Sequence, residues 1–191
     1  LIQEKFKEKK IDVTSYLKVV ELNSQIKLGP FEIDFVTLTH SILEPNGLCI
    51  TTPEGVVLHT GDWKVDPNPL IGNKIDEKKL RSIGEKGVIA MICDSTNVFS
   101  PGRAGSEKDV RESLLKIISH QKKRVLVTSF ASNVARMESI FYIAKQTKRN
   151  ISLVGRSMHR IYKAARKCGY LENVIEPIDS RDVKNISRNK I

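Results

Sequence analysis

Phe31-Glu-Ile-Asp-Phe-Val-Thr-Leu-Thr-His40 and Val56-Val-Leu-His-Thr-Gly-Asp62 are the two runs on which the fold of this chain is read. The first alternates apolar and polar side chains at the period of a half-buried strand and ends on a histidine. The second is an apolar run that halts at Gly61 and delivers a carboxylate. An imidazole and a carboxylate on neighbouring strand ends are part of what a divalent ion of the zinc or manganese type requires. The pair also has an ordinary reading, because a strand-end histidine is commonly just hydrogen-bonded and Gly-Asp is commonly a turn.

Outward from these runs, the Pro45-Asn-Gly47 signal makes 41–47 a loop, and 48–60 reads as strand, tight turn and strand, a hairpin. His59 lies inside the second hairpin strand, where it is either a partner for Asp62 or structural. Upstream, 1–10 is charged and helix-friendly, and 16–21 and 24–28 read as short strands joined at Asn23. Downstream, 76–85 is a helix with Leu80 and Ile83 on its apolar side, and 88–93 is a continuous apolar run of the kind found in a strand covered on both faces. That run terminates in Asp94-Ser-Thr-Asn97. His40, Asp62 and Asp94 thus become three polar strand endings, expected on one shared rim.

Beyond Val98 the pattern changes. A helix over 106–121, a buried strand over 124–129, a helix over 132–148, a strand over 151–155 and a helix over 157–167 follow one another with short connections. That alternation predicts a three-layer α/β unit on a parallel sheet. The boundary is placed near Asn97, giving domains 1–97 and 98–191. Two strand-to-helix turns stand out, because such turns aim backbone N–H groups and a positive helix end beyond the sheet. One is Thr128-Ser-Phe-Ala-Ser-Asn133, rich in hydroxyls and carrying Phe130 for base stacking. The other is Gly155-Arg-Ser157, whose guanidinium can grip a phosphate. Each has helix capping as its plain alternative. After Gly155, Arg156, Arg160, Lys163 and Lys167 form one basic stripe, which a solvated helix face explains as readily as an RNA backbone does.

Composition is that of a soluble globular protein, with 40% hydrophobic and 28% charged residues among 191. No apolar run approaches the ~20 residues a membrane helix needs. Cys49, Cys93 and Cys168 lie in no CxxC spacing, so a disulfide framework or thiolate zinc site is not expected, and a reducing cytoplasmic setting is. The 32 Lys and Arg against 22 Asp and Glu leave a net charge of +10, which suits a polyanionic partner or a merely lysine-rich surface. The first residue is Leu1, so the chain is expected to be a piece of something longer.

Thr39-His-Ser-Ile42, His59-Thr-Gly-Asp-Trp-Lys64, Cys93-Asp-Ser-Thr-Asn97, Ser129-Phe-Ala-Ser-Asn133 and Val154-Gly-Arg-Ser-Met158, in this order and at these intervals, resemble the ribonuclease J family. Its members are RNA-processing enzymes of the metallo-β-lactamase fold with a β-CASP insert. The likeness runs from about Phe31 to Leu171. It implies a partial metallo-β-lactamase half over 1–97 and a partial β-CASP-like α/β half over 98–191. His40 would be a metal-binding histidine, Asp62 an aspartate bridging two zinc or manganese ions, and Asp94 the acidic residue at the entry to the β-CASP region. Ser129, Phe130, Ser132, Asn133, Arg156 and Ser157 would face RNA. A two-ion centre activates water for in-line attack on a phosphodiester, and the family cuts RNA as a 5′-to-3′ exonuclease and as an endonuclease.

This sequence departs from the family pattern as well. The His-x-His-x-Asp-His cluster that supplies most metal ligands has no match among the four histidines, the closing β-CASP histidine motif is not found, and Ile42-Leu-Glu44 stands where Ile-Pro-Asp or Ile-Pro-Glu is usual. The expectation is therefore a segment of a metal-dependent ribonuclease with no complete catalytic set and no metal, or an incomplete one, of its own. The alternative is a non-catalytic remnant that at most binds RNA. A sheet with a raw edge would hide it by self-association, so a homodimer is also expected.

Overall fold

The computed structural model describes residues 1–191. In chain order the elements are α1 (Ile2–Glu8), β1 (Gln25–Leu28), β2 (Phe31–Thr37), β3 (Asn46–Thr52), β4 (Gly55–His59), α2 (Glu77–Lys86), β5 (Ala90–Ile92), α3 (Glu107–Ser119), α4 (Val134–Gln146) and α5 (Arg156–Lys167), followed by short 3-10 turns at Asp182–Asn185 and Arg188–Lys190. The fold is mixed α/β. It divides into two compact units, Val19–Ser106 and a second made of Leu1–Lys18 with Glu107–Ile191.

The first unit is built on a five-stranded sheet in the order β1-β2-β3-β4-β5, antiparallel except for the parallel pair β4 and β5. The expected hairpin is present, with Thr52 paired to Gly55 across the turn. Thr52 Oγ1 accepts the Glu54 and Gly55 N–H groups and donates to the Gly55 carbonyl. The core gathers Val36, Cys49 and Ile83, with Val56, Leu58, Leu80 and Val88 packed against them. Leu80 and Ile83 of α2 therefore supply the apolar side that their spacing predicts. Asp76 caps that helix by accepting the Lys79 N–H at 3.0 Å.

Gly55 is held at φ 144°, where a built Cβ would stand 2.8 Å from Ile89 Cγ2. Ile89 is branched at Cβ and stiff, so it yields poorly. Gly55→Ala is expected to cost about 1–3 kcal/mol, read as a lower denaturation midpoint with an unchanged slope.

Two expectations for this region are corrected. Residues 16–21 form no strand: Tyr16 and Leu17 both donate backbone N–H groups to the Val13 carbonyl, and the segment leaves in a turn. The run 88–93 is not covered on both faces. Only Ala90–Ile92 pairs, as an edge strand, and Ile89 and Met91 are 64% and 54% exposed. An apolar run reports a tendency to be buried, and this edge has one neighbour and no covering layer.

In the second unit α4 buries Val134, Ala135, Met137, Phe141, Ile143 and Ala144 on one stripe. Phe141 stacks on Tyr162 of α5 with ring centroids 5.6 Å apart. Arg111 of α3 lies 4.7 Å over the Tyr142 ring and pairs with Glu138, while Arg136 pairs with Glu107 at 3.2 Å, tying α3 to α4. The strands expected over 124–129 and 151–155 do not assemble into a ladder here. Val125 donates to the Ile191 carbonyl, and Ser152 makes one parallel bridge to Ile178. Extended segments become sheet only when a neighbour takes their N–H and C=O groups. Leu126, at 88% exposed, has none above it.

Candidate functional site

The sheet topology positions the polar strand endings. Because β2 and β4 are each antiparallel to β3, and β5 is parallel to β4, the three strands β2, β4 and β5 run the same way. Their carboxyl ends therefore open on one rim, the place where open α/β sheets present side chains to ligands. His40 follows β2, Asp62 follows β4 and Asp94 follows β5.

Hydrogen bonds draw these three exits together. Lys64 donates its backbone N–H to the Thr39 carbonyl at 2.9 Å, an isolated antiparallel bridge. It sets His40, one residue past Thr39, beside a segment in which Asp62 lies two residues before Lys64. The Thr39 hydroxyl donates to the Lys64 carbonyl and accepts the Asp66 N–H. On the other flank, Thr60 donates its N–H to Ile92, and its buried Oγ1 accepts the Asp94 N–H at 3.2 Å and donates to the Gly61 carbonyl. The Trp63 indole N–H points to Cys93 Sγ at 3.2 Å.

Asp62 is exposed, whereas His40 is half-buried, 3.5 Å from the Ser41 hydroxyl through Nδ1. The Thr96 hydroxyl and backbone N–H hold the Asp94 carboxyl below the usual carboxylate range, against a small opposing effect of burial; His40 and the Trp63 backbone N–H act in the same lowering direction. The Asp94 carboxyl lies within electrostatic reach of His40. His59 turns back on its own strand exit and accepts the Gly61 N–H through Nδ1, which is the structural reading of that residue.

No group of three or more His, Cys, Asp and Glu side chains is arranged to hold an ion. His40 and Asp62 offer two donors at most, too few for a closed or a catalytic metal centre.

In the second unit, Asn133 is a helix cap: its side-chain oxygen accepts the Arg136 N–H at 2.7 Å, so the plainer of its two readings is the one seen. Ser129 donates its hydroxyl to the Phe130 carbonyl, Ser132 is exposed, and the Phe130 ring is 81% exposed. Gly155, at φ 101°, opens α5 and leaves Arg156 and Ser157 exposed in its first turn. The basic stripe is interrupted, because Arg160 pairs with Glu8 of α1 at 2.7 Å. An apolar cavity of about 590 Å³ lies between α4 and the segments 124–129 and 149–154, with Ser129 at its edge.

Sequence reading missed Thr39, Thr60, Trp63 and Cys93 as the residues that fasten the rim. The available signal was a hydroxyl close to each polar strand ending, which is too common in strands to stand out.

The family profile described as "Ribonuclease J, beta-CASP domain" matches residues 122–191. A ribonuclease J of Sinorhizobium meliloti is 41% identical over 175 residues, 92% of this chain and 31% of that protein. One of Corynebacterium glutamicum is 43% identical over 157 residues, 81% of this chain and 22% of that protein. The chain therefore spans less than a third of the length of these relatives. Among solved structures, a protein of unknown function from Enterococcus faecalis matches with a TM-score of 0.61 at 16% identity, over 98% of this chain and 49% of that one. That likeness concerns the fold alone.

Proposed function

We propose, for a chain that belongs to the ribonuclease J family over the segment it shares with its relatives, that it forms part of a metal-dependent RNA phosphodiester hydrolase, acting as a 5′-to-3′ exonuclease, an endonuclease or both. Residues 1–97 correspond to part of the metallo-β-lactamase half and 98–191 to part of the β-CASP half. His40 and Asp62 would supply two of the ligands of a zinc or manganese centre whose remaining ligands come from elsewhere, and such a centre would supply a metal-activated water. Asp94 marks the passage into the β-CASP part. Ser129, Phe130, Ser132, Arg156 and Ser157 hold RNA, in the cytoplasm, and the uncovered β5 edge favours a homodimer.

The observation that carries this reading is the convergence of His40, Asp62 and Asp94 on the carboxyl rim of one sheet. The lack of a third ligand favours a second reading for the polypeptide by itself, an RNA-binding segment without turnover. Both are examined by measuring metal content, RNA cleavage and RNA affinity for these 191 residues. The expected result is salt-dependent, sequence-indifferent binding of single-stranded RNA, weakened by Arg156→Ala, with cleavage at or near background. Robust cleavage with bound metal would overturn the account of the ligands, and no RNA binding at low salt would overturn the account of the substrate.

A further inference from the structure

We propose that Phe99 is a base-stacking platform for single-stranded RNA beside the His40, Asp62 and Asp94 rim, an inference that rests on the RNA reading above. No other large apolar side chain is as exposed as this one: its ring is 97% exposed, with Val98 beside it at 69%. An aromatic ring left in water forgoes the stabilisation of burial, so its surroundings decide what it is for.

Those surroundings are held in place. Phe99 comes five residues after Asp94, in a connection fastened at both ends to the rim. At its start Asp94 donates its backbone N–H to Thr60 Oγ1, and the Asp94 carboxylate accepts the Thr96 N–H and hydroxyl at 3.0 and 2.6 Å. In the middle, Val98 and Ser100 donate to the Ser95 and Asn97 carbonyls. At its end Lys64 Nζ reaches the Gly105 carbonyl at 3.3 Å, and the Ser106 hydroxyl donates to the Asn68 carbonyl at 3.1 Å. The ring is thus presented outward from a tied loop, so little order remains to be lost when a flat partner lands on it.

The neighbouring side chains are those of a nucleic-acid contact. Ser95, Thr96, Asn97 and Ser100 are exposed donors and acceptors, and Arg103 supplies an exposed cation four residues on. A lone aromatic amid hydroxyls and a cation suits a nucleobase with its phosphate. Stacking on a single exposed ring needs no wider apolar patch around it. Stacking is indifferent to base identity, since every base has a π-face, which fits a nuclease that must follow a strand of any sequence.

The test compares the wild-type chain, Phe99→Ala and Phe99→Tyr for binding of a 12-mer oligouridylate and an abasic ribose-phosphate 12-mer, followed by quenching of Trp63, the sole tryptophan. Phe99→Ala is expected to weaken oligouridylate binding about 5- to 150-fold. Phe99→Tyr should retain it, the abasic oligomer should bind both chains alike, and the slope of affinity against salt should stay the same, because no phosphate contact is removed. Equal oligouridylate affinity for wild type and Phe99→Ala overturns the stacking role and leaves the RNA reading standing. A wild-type chain that binds neither oligomer overturns both. A Phe99→Ala chain that loses self-association by light scattering while keeping its RNA affinity assigns the ring to a protein contact and overturns the proposal.

Discussion

Phe141→Ala is expected to lower the unfolding free energy by about 3–5 kcal/mol, the range found when a buried aromatic is cut back and its cavity only partly closes. Phe141 is 1% exposed, on the buried stripe of α4, and its ring stacks on Tyr162 of α5. The loss reaches beyond one side chain. Tyr162 is itself buried, and its hydroxyl donates to Glu176 at 3.1 Å and accepts from Arg166 at 3.3 Å, so a ring that shifts to fill the space strains both bonds. Against a total stability of about 5–15 kcal/mol for a domain, a change of this size removes much of the margin. The measurement is urea denaturation followed by far-ultraviolet circular dichroism, with Leu126→Ala as comparator. Leu126 is almost fully solvated, and its truncation should cost under about 0.5 kcal/mol. Equal losses for the two variants would show that the core of the second unit is not centred on α4.

The second large effect is expected at Arg149. This buried guanidinium donates Nη1 to the Lys123 carbonyl at 3.0 Å and to the Ile191 carbonyl at 2.8 Å, and Nη2 to the Gln121 carbonyl. It thereby joins the exit of α3, the start of the 124–129 segment and the last residue of the chain. Val125 donates to the same Ile191 carbonyl, and Asn150 donates its backbone and side-chain N–H groups to Lys190. Arg149→Ala leaves the Lys123, Ile191 and Gln121 carbonyls without that donor, a loss of about 1.5–3 kcal/mol. Arg149→Lys should recover only part of it, because an ammonium cannot spread donors over three directions as the planar fork does. Hydrogen exchange gives an independent readout, since the Val125 and Asn150 amides should exchange faster in Arg149→Ala while those of β2 and β3 do not change. Unaltered exchange at Val125 and Asn150 would show that the segment is held by other contacts.

Both predictions lie where sequence reading reached unequal depth. Phe141 was visible, because Val134, Met137, Ile140, Phe141 and Ala144 recur at helical spacing and local periodicity reports which face is apolar. Arg149 was not visible at all. It follows a helix in a run of Lys and Arg, and nothing along the chain separates a guanidinium that caps three carbonyls from one in water. The same contrast holds in the candidate site. His40, Asp62 and Asp94 could be picked out because each ends an apolar run, and the five motifs carried the family likeness. The threonines fastening those exits could not, nor could Asn133 be assigned to capping over RNA binding. Arg160 stood in a basic stripe on paper and is paired with Glu8, 152 positions away in sequence.

By itself the sequence determined the hairpin, the amphipathic helices, the order of the polar strand endings and the kinship with ribonuclease J, since all of these are written in neighbouring residues and short spacings. Only the tertiary structure decided that β2, β4 and β5 point the same way. It also decided that β5 is an exposed edge where its composition suggests burial, and that 124–129 and 151–155 lack a common ladder. The physical reason is the range of the interactions. Side-chain period and turn chemistry act over a few residues, whereas burial and strand pairing are settled by whichever distant groups arrive to take up each N–H, carbonyl and apolar face.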